Sequence, residues 1–176
     1  SLYQLQADGR LLAQLTLPSG HQPDRLTASL DGTLLAYVAE GALHVYDVRR
    51  NDRVMTYTPS DARRPTATLP ALIGDTITLA PEHSHFDADK TRLAFGYSTV
   101  DGWYVDAIAT ATGERIAQLR PDSPAMQGIT TPTSAGVVPI VQRVTATQVA
   151  FTLQKAGAYA PPDTTFIWDT QADIVN

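Results

Sequence analysis

Asp31-Gly-Thr-Leu-Leu-Ala-Tyr37 returns, in altered form, at two later places in the chain. The later copies are Asp89-Lys-Thr-Arg-Leu-Ala-Phe95 and Thr145-Ala-Thr-Gln-Val-Ala-Phe151. All three share Thr, a Leu or Val, Ala and an aromatic residue at matching offsets. A recurrence at a spacing of roughly 57 residues is typical of a chain built from structural repeats. This phrase therefore decides the fold class before any single residue is interpreted.

Around each copy, short alternating segments rich in Val, Ile, Leu, Tyr and Thr are separated by Gly, Pro, Asp and Asn. Alternation between such turn residues is typical of β-strands joined by hairpins. For the first repeat the pattern predicts strands at 25–30, 34–38, 43–47 and 54–58. For the second it predicts strands at 83–86, 92–97, 103–109 and 114–119, and for the third at 138–144, 148–153 and 165–169. The sequence thus indicates an all-β fold of four-stranded antiparallel meanders.

The repeat register divides the whole chain into four parts of one domain. Gly9-Arg-Leu-Leu-Ala-Gln-Leu15 matches Gly113-Glu-Arg-Ile-Ala-Gln-Leu119, the end of the second full repeat. The N-terminal residues are therefore predicted to be the last two strands of an earlier repeat. The predicted units are 1–17, 24–58, 77–120 and 137–176, with the last strand of the fourth unit truncated.

The repeat resembles a blade of the WD-repeat and TolB-like β-propellers. The match is carried by the segment 30–37, by Tyr46-Asp47 and Trp168-Asp169, and by Thr112-Gly113-Glu114. The structural Asp of those blades falls on Asp47 and Asp169, whereas the second repeat has Ala109 there. The Gly-His signature of WD repeats is absent, so the resemblance is to the looser propeller relatives. It implies a β-propeller segment of about three and a half blades.

A ring of propeller blades needs four to eight of them. We therefore expect the propeller to be incomplete in this chain, as a fragment of a longer propeller or as one of several chains that complete it. The expected partners are the remaining blades or another protein chain. The alternative is a separate β-meander or sandwich whose edges are covered by dimerisation.

His83-Ser-His85-Phe-Asp87 is the sharpest candidate for chemistry, because strand alternation puts His83, His85 and Asp87 on one face. The string also resembles the His-x-His-x-Asp-His motif of metallo-β-lactamase-fold hydrolases, but Ala88 replaces the last His. The repeat register favours a turn and strand here instead. No cofactor is predicted apart from a weakly bound divalent metal ion at these three residues.

Aromatic residues and long loops are the other candidates for function. Trp103 and Tyr104 follow the Asp101-Gly102 hairpin, and Tyr159 lies in a predicted loop. Exposed aromatic residues of this kind anchor partner proteins; the alternative for Trp103 is a core position between blades. Trp168 is predicted to be core. The loops 59–75 and 121–136 are long enough to be functional or interface-forming.

Composition excludes several classes of function. The net charge is −5 and the 13 basic residues are scattered, which argues against a nucleic-acid partner. The chain has no Cys, so disulfides and thiolate chemistry are excluded. No apolar stretch approaches the roughly 18 residues of a membrane span. We expect an extracytoplasmic location, periplasmic or secreted.

The sequence favours a non-catalytic scaffold or binding module that mediates protein–protein contacts within a larger assembly. The alternative is the partial chain of a propeller enzyme, either a hydrolase or a quinone-dependent dehydrogenase, with an axial site near His83 and His85.

Overall fold

A computed structural model describes most of the chain. The described residues are 2–5, 11–18, 25–29, 31–40, 42–59, 66–67, 85–99, 102–131, 137–155 and 164–176. Within these ranges the regular structure is β-strand apart from one 3₁₀ turn, Pro124–Met126. No helix of the length and apolar character needed to cross a membrane occurs in them.

The described strands form four antiparallel sheets in chain order. An N-terminal hairpin pairs β1 (Leu2–Leu5) with β2 (Leu11–Leu15). Blade 1 consists of β3 (Arg25–Ala28), β4 (Leu34–Ala39), β5 (Ala42–Asp47) and β6 (Asp52–Tyr57). Blade 2 consists of β7 (Thr66–Ala67), β8 (Arg92–Thr99), β9 (Gly102–Ala109) and β10 (Arg115–Leu119). Blade 3 consists of β11 (Val137–Val144), β12 (Gln148–Lys155), β13 (Thr165–Asp169) and β14 (Ile174–Val175).

Each blade is a four-stranded meander in which neighbouring strands are neighbours in sequence. The predicted all-β fold of propeller blades is therefore confirmed. Blade 2 differs from the prediction at its first strand, which was expected at 83–86. The structure instead pairs Thr66 with Ser98 at one end of β8, whereas Phe86 makes a single bridge to Leu93 near the other end. Two separate segments thus share the inner edge of this blade.

The repeated phrase forms the turn between the first two strands of a blade. In blade 1 the Asp31 carboxylate accepts hydrogen bonds from the Thr33 amide at 3.1 Å and the Thr33 hydroxyl at 2.8 Å. In blade 3 the Thr145 hydroxyl takes the same place and accepts from the Gln148 amide at 3.0 Å. Short polar side chains favour such turns because they satisfy local backbone donors.

A turn-to-turn ion pair links blades 1 and 2. Lys90 occupies the repeat position of Gly32, and both have positive φ, 61° and 67°. A lysine rarely adopts this left-handed conformation, but here it brings Nζ within 2.6 Å of Asp31 Oδ2 and 3.0 Å of Thr33 Oγ1. The ammonium holds the pKa of Asp31 well below its usual range.

The structural Asp residues of the resemblance also lie in turns. Asp47 Oδ1 accepts from the Arg49 amide at 2.9 Å and the Arg50 amide at 3.0 Å. Asp169 Oδ1 accepts from two amides in the same way, and these bonds lower the pKa of Asp169. Blade 2 has Ala109 where the other blades have this Asp. There the Thr112 hydroxyl supports the turn instead and accepts from the Glu114 amide at 3.2 Å.

The last two residues of the repeated phrase lie in the buried clusters between neighbouring blades. Ala36 of blade 1 lies in one buried cluster with Phe95 of blade 2, and Ala94 of blade 2 lies in another with Phe151 of blade 3. All four residues are at most 1% exposed. Because successive strand residues point to opposite faces, the alanine faces the following blade and the aromatic ring faces the preceding one.

Removal of the Phe151 ring tests this packing. Because Phe151 is fully buried between blades 2 and 3, Phe151→Ala is expected to lower the free energy of unfolding by about 3–5 kcal/mol, measured by urea denaturation. Ile116 of β10 is 44% exposed, so the control Ile116→Ala is expected to cost less than about 1 kcal/mol. Equal losses in the two variants would contradict the assigned packing.

Candidate functional site

Two of the three predicted metal ligands lie at the inner edge of blade 2. His85 is fully buried, its backbone pairs with Ala94, and its Nδ1 donates to the Ala94 carbonyl oxygen at 3.2 Å. Thr27 pairs with Ala36 at the corresponding place in blade 1. His85 therefore occupies the repeat position of Thr27, in the second of the two segments at the inner edge of blade 2.

Asp87 is a turn residue in the structure. Its Oδ1 accepts from the Arg92 amide at 2.9 Å, and its Oδ2 accepts from the Thr91 hydroxyl at 2.8 Å. In blade 1 the Ser29 hydroxyl accepts from the Leu34 amide at 3.0 Å in the same way. Both carboxylate oxygens of Asp87 are thus engaged in shaping the hairpin.

His83 lies outside the described residues. Within the described ranges, no group of three His, Asp or Glu side chains could hold a metal ion. The predicted metal site at His83, His85 and Asp87 consequently stays a prediction, and the geometry of His85 and Asp87 assigns both to the blade itself.

Two of the three aromatic residues predicted to contact a partner, Trp103 and Tyr104, are buried between blades. Trp103 is 2% exposed, and its ring lies 5.9 Å from that of Phe151 in blade 3. Tyr104 is 9% exposed and stacks on Tyr97 at 5.1 Å, in the cluster between blades 1 and 2. Both faces of β9 are covered, so neighbouring residues of this strand are buried on opposite sides. Tyr159 lies outside the described residues.

Trp168 is core, as predicted. Its ring is 1% exposed and lies in the cluster between blades 2 and 3. The indole Nε1 donates to Asp173 Oδ1 at 3.2 Å, so its polar edge is satisfied at the turn before β14.

A buried carboxylate joins blades 1 and 2. Asp106 of β9 is fully buried, and it accepts hydrogen bonds from the Tyr57 hydroxyl of blade 1 at 2.6 Å and from Gln118 Nε2 at 2.9 Å. Gln118 also contacts the Tyr97 hydroxyl at 3.4 Å. Burial raises the pKa of Asp106, while its hydrogen bonds and the Arg115 charge act in the opposite direction.

The tyrosines of this cluster are poor candidates for proton transfer near neutral pH. Burial, together with the neighbouring Asp106, raises the pKa of both Tyr57 and Tyr97. A catalytic acid or base works best with a pKa near the operating pH. We therefore assign Tyr57, Tyr97 and Asp106 a structural role at the contact between the two blades.

A shallow cleft of about 600 Å³ lies between the end of β2 and the turn before β6. Its lining residues are Thr16, Leu17, Pro18, Tyr46, Asn51, Asp52 and Arg53. The Thr16 amide donates to Asn51 Oδ1 at 3.2 Å across the cleft. One carboxylate and one guanidinium balance each other in the lining, so the cleft favours no particular charge on a ligand.

Residues 120–131, the described part of the connection from blade 2 to blade 3, are the longest described stretch outside the strands. We call residues 120–131 the anchored loop. Ala125 and Met126 of its 3₁₀ turn are 9% and 4% exposed and belong to the core between blades 2 and 3. The loop is thus fixed to the interior at its centre.

Hydrogen bonds within the anchored loop define its shape. The Ser123 hydroxyl accepts from the Arg120 amide at 3.0 Å, the Met126 amide donates to the Ser123 carbonyl at 2.9 Å, and the Ile129 amide donates to the Met126 carbonyl at 3.1 Å. The exposed residues of the loop include Pro121, Asp122, Pro124, Gln127, Gly128 and Thr130. The loop therefore presents a fixed, mostly uncharged surface to solvent.

Comparisons with known proteins agree on the fold. No protein-family model matches the sequence, and no curated protein matches it significantly. Among solved structures, the RRP9 WD40 repeats match with a TM-score of 0.53 at 9% identity, covering 93% of this chain and 40% of that one. Hsv2 of Kluyveromyces lactis gives 0.53 at 7% identity, covering 98% and 51%. An uncharacterized protein of Listeria monocytogenes gives 0.52 at 11% identity, covering 93% and 42%.

These similarities show a propeller-type fold and no particular family, because the identities are so low. The chain spans about half or less of the length of these solved chains.

The pH dependence of stability tests the buried position of Asp106. An acid whose pKa is raised by folding keeps its proton in the native state after the unfolded chain has lost it. The free energy of unfolding therefore falls as pH rises from about 4 to the native pKa, by at most about 1.4 kcal/mol per pH unit for one group. Asp106→Asn is expected to remove this decline in urea denaturation between pH 4 and 8.

The matched control is Asp122→Asn, because the Asp122 side chain is 71% exposed. Its pH curve is expected to run parallel to that of the wild type. A parallel curve for Asp106→Asn as well would show that the folded environment of Asp106 does not favour its protonated form.

Proposed function

We propose that this chain is a non-catalytic β-propeller module that binds another protein within a larger assembly. The observation that carries the proposal is the anchored loop, a long surface connection held in one shape by buried side chains. Loops on a rigid scaffold are where binding functions are commonly placed. The propeller fold supplies such a scaffold.

Order in the loop favours binding for a physical reason. A flexible loop loses conformational freedom when it binds, at a cost of about 0.5–1.5 kcal/mol for each immobilised side chain. Met126 and the backbone hydrogen bonds of the loop have already fixed it in the folded chain. Its exposed residues are then available for contact at a reduced entropic cost.

The surface chemistry of the loop fits a protein partner better than a nucleic acid. Arg120 Nε lies 2.8 Å from Asp122 Oδ1, so its charge is balanced locally. Proline and amide side chains with few net charges are suited to a neutral protein surface. The extracytoplasmic location and the metal site at His83, His85 and Asp87 remain predictions of the sequence alone.

The absence of cysteine from residues 1–176 permits a clean test, since an introduced thiol is unique within them. Gln127→Cys places a thiol on the exposed loop, and Arg49→Cys places one on an exposed turn of blade 1. Each variant is expressed in the natural host and is also prepared as the isolated chain. Maleimide labelling at 127 is expected to be at least about tenfold slower in the host material than in the isolated chain, equivalent to about 1.4 kcal/mol of protection. Labelling at 49 is expected to be unchanged.

Met126→Ala in the Gln127→Cys background separates a shaped binding loop from nonspecific coverage. Loss of the buried anchor is expected to restore most of the labelling at 127, because the loop no longer holds its binding shape. Equal labelling of 127 in the natural material and in the isolated chain would overturn the proposal.

A further inference from the structure

Among the three turns of the repeated phrase, the turn of blade 1 has a chemically labile sequence. It holds Asp31-Gly32, whereas the matching positions are Asp89-Lys90 in blade 2 and Thr145-Ala146 in blade 3. In an Asp-Gly pair the glycine nitrogen can attack the aspartate Cγ, because glycine has no Cβ to hinder the approach. Gly32 has a φ of 67°, so this turn favours the glycine that makes the pair labile.

The reaction of such a pair is an internal ring closure. The Gly32 nitrogen forms a bond to Asp31 Cγ and loses its proton, and the carboxyl group loses its hydroxyl, so water leaves and a succinimide forms. Hydrolysis takes up water again and opens the ring at either carbonyl. One product is isoaspartate, whose backbone runs through the former side-chain carboxyl and is longer by a methylene. In this turn the longer backbone would disturb the bond from the Ser29 amide to the Leu34 carbonyl oxygen, now 3.0 Å.

Within the turn, both reacting groups are held in unreactive arrangements. The Gly32 amide donates its proton to the Ser29 carbonyl oxygen at 2.9 Å. Asp31 Oδ1 accepts from the Ser29 and Thr33 hydroxyls, each at 2.8 Å, and from the Thr33 amide at 3.1 Å. Donors of this kind stabilise the carboxylate, which has no hydroxyl group to lose.

The other carboxylate oxygen is held from blade 2. Lys90 Nζ lies 2.6 Å from Asp31 Oδ2, and this ammonium does most to keep the pKa of Asp31 low. Lys90 itself has a φ of 61°, which is a strained conformation for a lysine, and an exposed ion pair returns little stability. Folding energy alone therefore does not account for a lysine at this position.

We propose that Lys90 of blade 2 protects the Asp31-Gly32 pair of blade 1 from succinimide formation, and that this turn becomes a site of isoaspartate modification when the two blades separate there. The protecting charge comes from the neighbouring blade, so protection depends on the contact between the blades. Isoaspartate at Asp31 then marks chains in which that contact has been lost. The inference does not depend on the anchored loop or its partner.

Ageing of the purified protein tests the protection. Lys90→Met removes the ammonium with little change in side-chain length, and Lys90→Gly removes it together with the strain of a left-handed lysine. The matched control is Lys155→Met, at the exposed second lysine of residues 1–176. Each protein is made in the natural host, purified and incubated at physiological temperature and neutral pH. Peptide mapping quantifies isoaspartate at Asp31.

The reference sites are the other two Asp-Gly pairs of the sequence, Asp8-Gly9 and Asp101-Gly102, which are scored in the same digests. Urea denaturation of each variant gives its unfolded population, and therefore the isoaspartate that unfolded chains alone would produce.

Isoaspartate is expected to form at Asp31 at least about tenfold faster in both Lys90 variants than in the wild type, because the protonated fraction of a carboxyl grows about tenfold for each pH unit by which its pKa rises. Lys155→Met is expected to age at the wild-type rate, and the reference sites are expected to react equally in all the proteins. An unchanged rate at Asp31 in a folded Lys90 variant would overturn the proposal. An increase that the reference sites share, or that the unfolded population accounts for, would overturn it as well.

Discussion

The burial of apolar side chains between neighbouring blades is the interaction on which the rest of the structure depends. Phe95 shares a buried cluster with Ala36, and Phe151 shares another with Ala94. A four-stranded meander has two apolar faces here and cannot be stable with both in water. Stacking on its neighbours is what buries them, so the blades are stable only as a series.

Polar groups add specificity to this apolar stacking. The bond from Tyr57 to Asp106 and the ion pair of Lys90 with Asp31 both cross from blade 1 to blade 2. A buried carboxylate is costly unless its acceptors are used, and Asp106 Oδ2 gains its donor, the Tyr57 hydroxyl, only when the two blades are in the observed register. These contacts therefore fix the register between neighbouring sheets, whereas the exposed Lys90 pair adds little to stability on its own.

The strands were largely predictable because alternation and turn residues act locally. The sequence predicted β13 at 165–169, where the structure has it, and β8 differs from the prediction at its end by only two residues. β7 was not predictable, because Thr66–Ala67 lies in a stretch rich in Pro and Ala that has no strand alternation. The Tyr57–Asp106 contact spans 49 residues, and no local pattern reveals it. Trp103 follows a hairpin and therefore resembles a surface residue, although blade 3 covers it.

A double-mutant cycle between Trp103 and Phe151 tests most directly whether successive blades pack through these rings. The two rings belong to different blades and lie 5.9 Å apart, within the range where aromatic pairs contribute about 0.5–1.5 kcal/mol beyond their burial. Substitution of each ring by leucine, alone and together, is expected to give a coupling free energy of about 1 kcal/mol in urea denaturation. Strictly additive losses would show that the two blades do not meet at these residues.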